Sequence, residues 1–549
     1  MRAIGYGLLL GALAAPVLAK GVDVTLALQA NNDLLLSYRL PEGCQRLPFV
    51  NPGALAQAAG KVRKAWQALD DCSQASGEAV SLAKASCSVA RFKVPPSTEP
   101  VDRVYPGSFP MGGGVYAHTW NYAVADSCGP VRYHFTAPGS VSARGKVYAG
   151  TPGFTAEDAT AGEMPALLLQ QPLKQEAGAT VYLDPALGEA TIAQIHRMST
   201  DAVSYFSKVL PHAGYRQPVL AATRVAGNDG GQPRYWGDGQ DVLRLALYNW
   251  PDRPQGELVT VLNGFVAHEY AHRFQPLEQH DVYSGGDQML HEGSAELLQW
   301  LAGVETGWRS KADSATMLDE ALAACLQQVG DKPWQAVPLN RRNSASTIYP
   351  CGLVTQLFSL AARQIKQPAT AQIDRYFAAG QQGGPTDMAQ AFECGDKADC
   401  QPRWLQRLMG GKEPMAEVWA ELASQTGLLK QVAPSERQSR QMLPYAFAAL
   451  MQADCGGATS FYPQLDGFMV AAITVCQNLR EGMYLKAVEG QPLSDAVASL
   501  PLLTGCRERG SVSLQDKEGK TVTLSCKQPF NAPTQVYAVD MERLLASLR

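Results

Sequence analysis

The stretch that decides the fold is VLNGFVAHEYAHRFQP, residues 261–276, in which two histidines stand four residues apart. It contains no proline before Pro276, so it predicts a helix that ends near that residue. Residues i and i+4 lie on one face of a helix, about 5–6 Å apart. His268 and His272 can therefore bind one metal ion together, and Glu269 can point into the same site. Two histidines packed on an ordinary helix are the alternative interpretation.

A second predicted helix supplies acidic residues at a useful distance. The stretch GGDQMLHEGSAELLQWLAG, residues 285–303, opens with two glycines that break the chain, and Asp287 is predicted to cap the helix that follows. Glu292 follows His272 with nineteen residues between them, and Glu296 lies one turn further on the same face. Glu292 is a candidate third metal ligand. The alternative is an acid in the first helical turn that is favoured by the helix dipole.

The residues from His268 to His272 form the HExxH pattern of zinc peptidases. An HExxH helix, a short connection and a second helix bearing a glutamate resemble the gluzincin plan, as in thermolysin. The string HEGSAE, residues 291–296, also resembles the NEGFA segment of the aminopeptidase-N family. The resemblance implies one Zn²⁺ bound by His268, His272 and Glu292. It further implies that Glu296 orients His268 through the second ring nitrogen of that histidine.

A further resemblance lies in STIYPCGLVTQLFSLAARQI, residues 346–365. Aminopeptidase-like gluzincins carry a Tyr-x-x-Gly segment at the start of a helix after the zinc glutamate, and Tyr349 with Gly352 matches it. The resemblance implies that Tyr349 donates a hydrogen bond to the oxyanion that develops during catalysis. A buried aromatic residue at a helix start is the alternative interpretation.

Together these residues predict hydrolysis of peptide bonds. A zinc ion with three protein ligands keeps a fourth position for water and lowers the pKa of that water to about 7. Glu269 is predicted to act as general base, accepting the water proton and passing it to the leaving amine.

The remaining sequence predicts an α+β protein with several domains. Alternating apolar residues in VDVTLALQANNDLLLSYRL, residues 22–40, indicate a β-hairpin with one buried face. Short apolar runs separated by Gly and Pro then continue, so residues 20–175 are predicted to form a β-rich domain. Residues 176–435 are predicted to form a thermolysin-like, mostly helical zinc domain. Strand signals return in residues 436–549.

The last of these regions resembles a PDZ-type domain. The stretch DGFMVAAITVCQNLREGMYLKAVEGQPLSDA, residues 466–496, resembles a PDZ-type core. A β domain, a gluzincin domain and a PDZ-like domain, in that order, resemble the glycyl-aminopeptidase family of bacterial metallopeptidases. The resemblance implies that a peptide C-terminus binds the last domain by adding a strand to a sheet edge. A structural brace held by disulfides is the alternative.

Two features depart from these families. The second histidine is followed by Arg273, Phe274 and Gln275, where such aminopeptidases often have a tryptophan. The GxMEN segment, whose glutamate holds the N-terminal amine of the substrate in the aminopeptidase-N family, has no counterpart. The corresponding edge strand is predicted to be DVLRLALYNW, residues 241–250. Exopeptidase and endopeptidase action therefore both stay open.

The first nineteen residues, MRAIGYGLLLGALAAPVLA, are typical of a secretory signal peptide cleaved between Ala19 and Lys20. An uncleaved membrane anchor is the alternative, although the run is short for a spanning helix. No other segment is apolar enough to span a membrane. The twelve cysteines predict disulfides in an oxidising compartment, with pairing between sequence neighbours as the simplest arrangement. A periplasmic or secreted bacterial protein is predicted.

The composition of the chain bears on the class of molecule that it binds. With a formal net charge of −4, the chain is not basic enough to suggest a nucleic-acid partner. The zinc-peptidase motifs predict a peptide or protein substrate. The predicted function is that of an exported zinc-dependent metallopeptidase. A zinc-containing, PDZ-like peptide-binding protein of the cell envelope without catalytic activity is the alternative, but a structural zinc site has no need of Glu269. The other histidines are predicted to be structural or exposed: His118, His134, His196, His212, His280 and His291.

Overall fold

The computed structural model describes residues 21–50, 56–98, 105–149, 154–156, 165–176, 179–226, 233–277, 281–283, 288–455, 459–464, 466–473, 476–495, 499–526, 533 and 535–549. The chain forms two compact units, divided between Pro172 and Leu173. The predicted signal peptide, the predicted cap at Asp287 and the side chain of His280 lie outside the described residues.

The N-terminal unit is rich in strands, as predicted. Its elements are β1 (Val22–Leu28), β2 (Leu34–Arg39), β3 (Arg46–Pro48), α1 (Ala56–Lys64), β4 (Gln67–Ala68), β5 (Ser73–Ala75), β6 (Ala79–Leu82), β7 (Val89–Val94), β8 (Ser108–Pro110), β9 (Gly114–Ala117), β10 (Val131–Thr136), β11 (Ser140–Ala143), β12 (Lys146–Ala149), β13 (Phe154–Ala156) and β14 (Ala166–Leu169). They form sheets in the orders β13-β10-β1-β2-β7-β4, β12-β11-β14-β9-β8 and β3-β6-β5.

The predicted hairpin at the start of this unit is confirmed. Strands β1 and β2 pair antiparallel, from Asp23 opposite Arg39 to Leu28 opposite Leu34. Every second residue of β1 is buried, because successive side chains of a strand point to opposite faces. The alternation in the sequence therefore identified both the strands and their buried face.

The second unit opens with a mixed sheet and two long helices. Its first elements are β15 (Lys174–Glu176), β16 (Ala179–Leu183), α2 (Glu189–Val209), β17 (Val219–Val225), β18 (Arg234–Gly239), β19 (Val242–Tyr248) and α3 (Glu257–Ala271). The strand order is β15-β16-β17-β19-β18. Strands β16, β17 and β19 run parallel, and β18 pairs antiparallel with β19 at the edge.

The prediction that DVLRLALYNW forms the edge strand is wrong. That stretch is β19, which lies between β17 and β18 and is buried along its whole length. A continuous apolar run is typical of a strand covered on both faces. The edge strand beside it is β18, RYWGDG, whose glycines and polar residues suit a partly exposed position.

Helices then dominate, as predicted. They are α4 (Met289–Thr306), α5 (Lys311–Val329), α6 (Leu339–Arg342), α7 (Ala345–Ala361), α8 (Ala369–Gln381), α9 (Trp404–Gly410) and α10 (Met415–Thr426). One hydrophobic core joins α3, α4, α5 and α7 to the mixed sheet, through residues such as Phe265, Leu297 and Leu357. The candidate metal ligands therefore lie on helices that are fixed by packing. Among the described helices, none combines the length and the apolar character needed to cross a membrane.

The C-terminal region returns to strands. Its elements are β20 (Leu429–Val432), α11 (Glu436–Cys455), β21 (Thr459–Gln464), β22 (Gly467–Ile473), β23 (Tyr484–Val488), β24 (Gln491–Pro492), α12 (Ser499–Arg509), β25 (Ser511–Asp516), β26 (Thr521–Ser525), β27 (Val536–Val539) and α13 (Met541–Leu548). Six strands form a sheet in the order β21-β22-β23-β25-β26, with β24 paired to β23, while β27 pairs with β20. Tyr537, Leu544 and Leu548 pack into the core that holds α3 and α4. The PDZ-like assignment stays a prediction.

All cysteines are paired in disulfides, which confirms the predicted staples. Five pairs join sequence neighbours: Cys72–Cys87, Cys325–Cys351, Cys394–Cys400, Cys455–Cys476 and Cys506–Cys526. The sixth, Cys44–Cys128, spans 84 residues and encloses the first of these pairs. Pairing between neighbours is therefore wrong for Cys44, because the sheets bring distant cysteines together.

Replacing Cys325 and Cys351 together by alanine is expected to lower the free energy of unfolding of the second unit. The bond closes 26 residues between α5 and α7, and the loss is roughly 3–4 kcal/mol from loop entropy. The disulfide between Cys394 and Cys400 closes only 6 residues, so replacing both cysteines by alanine should cost roughly 2 kcal/mol. Denaturant titration of both double variants compares them, and the opposite order would contradict the loop argument.

Candidate metal centre

Helix α3 carries the first two candidate ligands. It ends at Ala271, and His272 follows as C-cap with helical backbone angles, φ −57° and ψ −21°. His268 and His272 therefore keep the spacing of one helical turn. Both side chains are buried, so they lie inside the fold rather than on a solvent-facing helix surface.

Glu292 in the first turn of α4 completes a cluster of three. The Nε2 atoms of His268 and His272 lie 3.1 Å apart. The Oε2 atom of Glu292 lies 3.3 Å from Nε2 of His268 and 3.6 Å from Nε2 of His272. Among the described residues, these three side chains form a group able to hold a metal ion. The structure thus brings together the three residues that the sequence predicted.

The three ligand atoms have the spacing that zinc requires. Zinc bonds of about 2.0–2.1 Å in a tetrahedral site place neighbouring ligand atoms roughly 3.3–3.4 Å apart. The observed separations of 3.1, 3.3 and 3.6 Å bracket that value. Two imidazoles and one carboxylate are also a usual ligand set of catalytic zinc. The residues therefore fit a zinc ion with a fourth position left for water.

The electrostatics of the cluster favour a cation. Burial alone would lower the pKa of His268, but the carboxylates of Glu292 and Glu296 raise it well above its ordinary value. Burial alone would raise the pKa of Glu292, but its hydrogen bonds with His268 and His272 hold it well below its usual range. Both shifts show that the site stabilises positive charge next to an ionised carboxylate.

Two glycines set the crossing of α4 and α7 beside the cluster. A Cβ atom on Gly352 would lie 2.5 Å from Cα of Gly293 and 2.7 Å from the carbonyl oxygen of Met289. Only glycine at both positions allows the two backbones to approach so closely. Glu292 directly precedes Gly293 in α4, and Tyr349 lies one turn before Gly352 in α7. The crossing therefore brings Glu292 and Tyr349 to the same side of the two helices' contact. It gives a physical reason for the glycines in HEGSAE and Tyr-x-x-Gly.

Glu296 lies where the sequence placed it. Its Oε1 atom is 2.9 Å from Nδ1 of His268, the ring nitrogen that points away from the cluster. The other carboxylate oxygen, Oε2, accepts a hydrogen bond of 2.7 Å from Gln299. A carboxylate fixed in this way orients the imidazole and raises its basicity as a ligand. The role of Glu296 in metal binding stays a prediction.

Replacing Glu296 by alanine is expected to weaken zinc binding by about 10- to 100-fold, because His268 loses the group that orients it. Competition with a chromophoric chelator measures the dissociation constant. The matched control is Glu417→Ala, since Glu417 is exposed on α10. Equal affinity in the Glu296 and Glu417 variants would contradict the predicted role.

Glu269 is a buried carboxyl group next to the ligands. Burial raises its pKa to about 7, against the lowering effect of His268 and His272. Edge strand β18 covers it, because a Cβ atom on Gly237 would overlap the Glu269 carboxylate. Gly239 likewise lies against His272, because a Cβ atom built on Gly239 would lie 2.9 Å from Cβ of His272. A base with a pKa near 7 suits proton transfer at neutral pH.

Tyr349 is also brought to the centre. Its ring lies 5.7 Å from the ring of His268, centroid to centroid, in an edge-on arrangement. The residue is half-buried in the first turns of α7. Its predicted role as a donor to the oxyanion is compatible with this place and stays a prediction.

His291 was predicted to be a structural or exposed residue, and its contact with a candidate ligand was not predicted. Its ring stacks on that of His272, with centroids 4.5 Å apart and an interplanar angle of 22°. Burial and the nearby His272 lower the pKa of His291 to about 3, so the ring is neutral. The helix bearing Glu292 crosses close to α3, and the sequence spacing did not reveal that approach.

Three other histidines contact an aromatic ring or a carboxylate. His118 stacks on Tyr105 at 4.7 Å between ring centroids. His134 lies 3.2 Å from the Asp23 carboxylate, and His212 lies 2.6 Å from Asp374. These contacts fit the structural or surface roles predicted for them.

Two arginines that sequence reasoning missed hold the end of α3. Arg216 donates hydrogen bonds to the carbonyl oxygens of His272 (3.0 Å) and Gln275 (2.6 Å). Arg273 donates to the carbonyl oxygens of Arg216 (2.7 Å) and Gly239 (3.1 Å). Arg273 stands close to where the families that the sequence resembles often have tryptophan, and that departure was the available signal. The pair ties the second ligand histidine to edge strand β18.

Comparisons with known proteins bear on the fold of the chain. Neither a family model nor a curated protein sequence matches the chain. A solved structure of an aminopeptidase N family protein from Idiomarina loihiensis aligns with a TM-score of 0.54 and 13% identity, covering 96% of this chain and 100% of that one. A mutant of an M1 zinc metallopeptidase from Deinococcus radiodurans aligns with a TM-score of 0.39 and 13% identity, over 71% of this chain and 94% of that one. The first likeness confirms, for the fold, the predicted resemblance to aminopeptidase-like gluzincins.

Proposed function

We propose that this protein is a zinc-dependent peptidase. The observation that carries the proposal is the convergence of His268, His272 and Glu292 beside the buried carboxyl group of Glu269. A purely structural zinc site is usually closed by four protein ligands, whereas a catalytic site has three and keeps one position open. The likeness to an aminopeptidase N family protein adds support from the fold.

Each residue has a separate task in hydrolysis. His268, His272 and Glu292 hold the zinc ion, which when bound supplies Lewis acidity to water and to a substrate carbonyl group. Glu269 accepts the proton of the attacking water and delivers it to the leaving amine. Tyr349 donates a hydrogen bond to the oxygen of the scissile carbonyl as negative charge develops there. Gly237 leaves room for the Glu269 carboxylate beside β18.

Export is part of the proposal. The pairing of all twelve cysteines is typical of proteins that fold in an oxidising compartment. The signal-like first nineteen residues point to the same compartment. Activity should therefore be measured on protein that has been exported and carries its disulfides.

A mixed peptide library tests the proposal and separates exopeptidase from endopeptidase action. Zinc-loaded protein is expected to cleave members of the library, and a chelator is expected to stop cleavage. Acetylation of the N-terminus of a cleaved peptide then decides the mode, since an aminopeptidase needs the free amine. A zinc-loaded protein that cleaves nothing would favour the non-catalytic alternative.

A further inference from the structure

Gln275 lies three residues beyond His272, after the end of α3, and its side chain is fully buried. Its amide group connects two parts of the metal centre. The Oε1 atom lies 2.7 Å from Nδ1 of His272, and Nε2 donates a hydrogen bond of 2.8 Å to the carbonyl oxygen of His291. His291 directly precedes Glu292, so one side chain contacts the second ligand and the backbone beside the third.

The partners of the amide fix its orientation. A backbone carbonyl oxygen can only accept a hydrogen bond, so the amide nitrogen of Gln275 must face His291. The amide oxygen therefore faces His272 and accepts a hydrogen bond from Nδ1. That ring nitrogen carries the proton in consequence.

This hydrogen bond determines which atom of His272 can bind a metal. A neutral imidazole protonated at Nδ1 presents its lone pair at Nε2. Nε2 is the atom that faces His268 and Glu292, at 3.1 and 3.6 Å. Glu296, at 2.9 Å from Nδ1 of His268, favours the same tautomer in the other histidine. Two imidazole lone pairs and a carboxylate oxygen then converge on one point.

The surroundings keep Gln275 in this place. Arg216 donates a hydrogen bond of 2.6 Å to the carbonyl oxygen of Gln275, which anchors its backbone. The ring of His291 stacks on that of His272 and limits tilting of the imidazole plane. Rotation within that plane is left to be set by the hydrogen bond at Nδ1.

We propose that Gln275 is a positioning residue that selects the metal-binding tautomer of His272 and ties it to the backbone next to Glu292. The inference rests on the proposed zinc site. It assigns to a residue outside HExxH the role for His272 that Glu296 is predicted to have for His268. Loss of Gln275 should therefore change metal affinity and ligand geometry before it changes the fold.

Two substitutions of similar size separate the hydrogen bonds from packing. Gln275→Met keeps the length of the side chain and removes both hydrogen bonds. Gln275→Glu keeps an oxygen that accepts from Nδ1 of His272 but loses the hydrogen bond to the carbonyl oxygen of His291. Zinc affinity is measured by chelator competition, the visible spectrum is recorded after Co²⁺ substitution, and thermal unfolding of the metal-free proteins monitors stability.

The methionine variant is expected to bind zinc about 10- to 100-fold more weakly than the unmodified protein and to shift the Co²⁺ bands. The glutamate variant is expected to bind more tightly than the methionine variant. Unchanged zinc affinity in Gln275→Met would overturn the inference, as would equal losses in both variants. If Gln275→Met does not fold, a loss in folded Gln275→Glu as large as that expected for Gln275→Met, about 10- to 100-fold, overturns the selection of the tautomer, because the acceptor at Nδ1 of His272 is kept there. Absence of zinc binding by the unmodified protein would refute the proposed function itself.

Discussion

Replacing Glu269 by glutamine is expected to abolish peptide hydrolysis while zinc stays bound. The amide has nearly the shape of the carboxylate but cannot accept the proton of the attacking water. Loss of a general base costs roughly 100- to 10,000-fold in rate. Glu269 is buried beside β18, and its carboxylate fills the space next to Gly237. A substitution of equal size is therefore required to keep the local packing.

The comparison needs activity and metal content from the same preparations. Glu417→Gln is the matched control, because Glu417 is exposed on α10, and it should retain full activity. Zinc-loaded Glu269→Gln should bind a substrate peptide without cleaving it. Residual activity close to that of the control would exclude Glu269 as the base and would require another proton acceptor.

Replacing Gly352 by alanine is expected to damage the metal centre through the helix crossing. The added Cβ atom would lie 2.5 Å from Cα of Gly293 and 2.7 Å from the carbonyl oxygen of Met289. These are backbone atoms that cannot rotate away, so α4 and α7 must separate. Overpacking of this kind costs about 1–3 kcal/mol of stability, and a displacement of about 1 Å at a catalytic group can cost roughly 100-fold in rate.

The order of losses identifies the cause. Activity and zinc affinity should fall at temperatures at which the variant is still folded, because Glu292 is adjacent to Gly293 at the crossing. Gly384→Ala is the control, since a Cβ atom there would have no neighbour within 4 Å. A folded Gly352→Ala protein with normal zinc affinity would show that the crossing does not position Glu292.

Local periodicity explains which features could be predicted from the sequence. The hairpin at residues 22–40 and the placement of His268 and His272 depend only on the period of a strand and of a helix. Glu292 was a candidate from its spacing, and the roles of Glu292, Glu296 and Tyr349 came from resemblance to gluzincins. The structure places all three at the centre. These features depend on short segments or on motifs that can be recognised in the sequence itself.

Contacts between distant segments explain the errors. The prediction of an edge strand at DVLRLALYNW is wrong, because its unbroken apolar run suits the interior position that it occupies. The stacking of His291 on His272 was not predicted, because spacing along α4 does not show how closely that helix approaches α3. Gln275 gave no signal, since a glutamine after a helix becomes informative only once its two partners are known. Pairing of Cys44 with Cys128 likewise follows from the sheets.

The most direct test of the central claim is the zinc content of purified, oxidised protein compared with that of His272→Ala. The geometry of His268, His272 and Glu292 predicts one zinc ion per chain in the unmodified protein and its loss in the variant. Equal zinc content in the two proteins, or none in the unmodified protein, would contradict the metal centre described above.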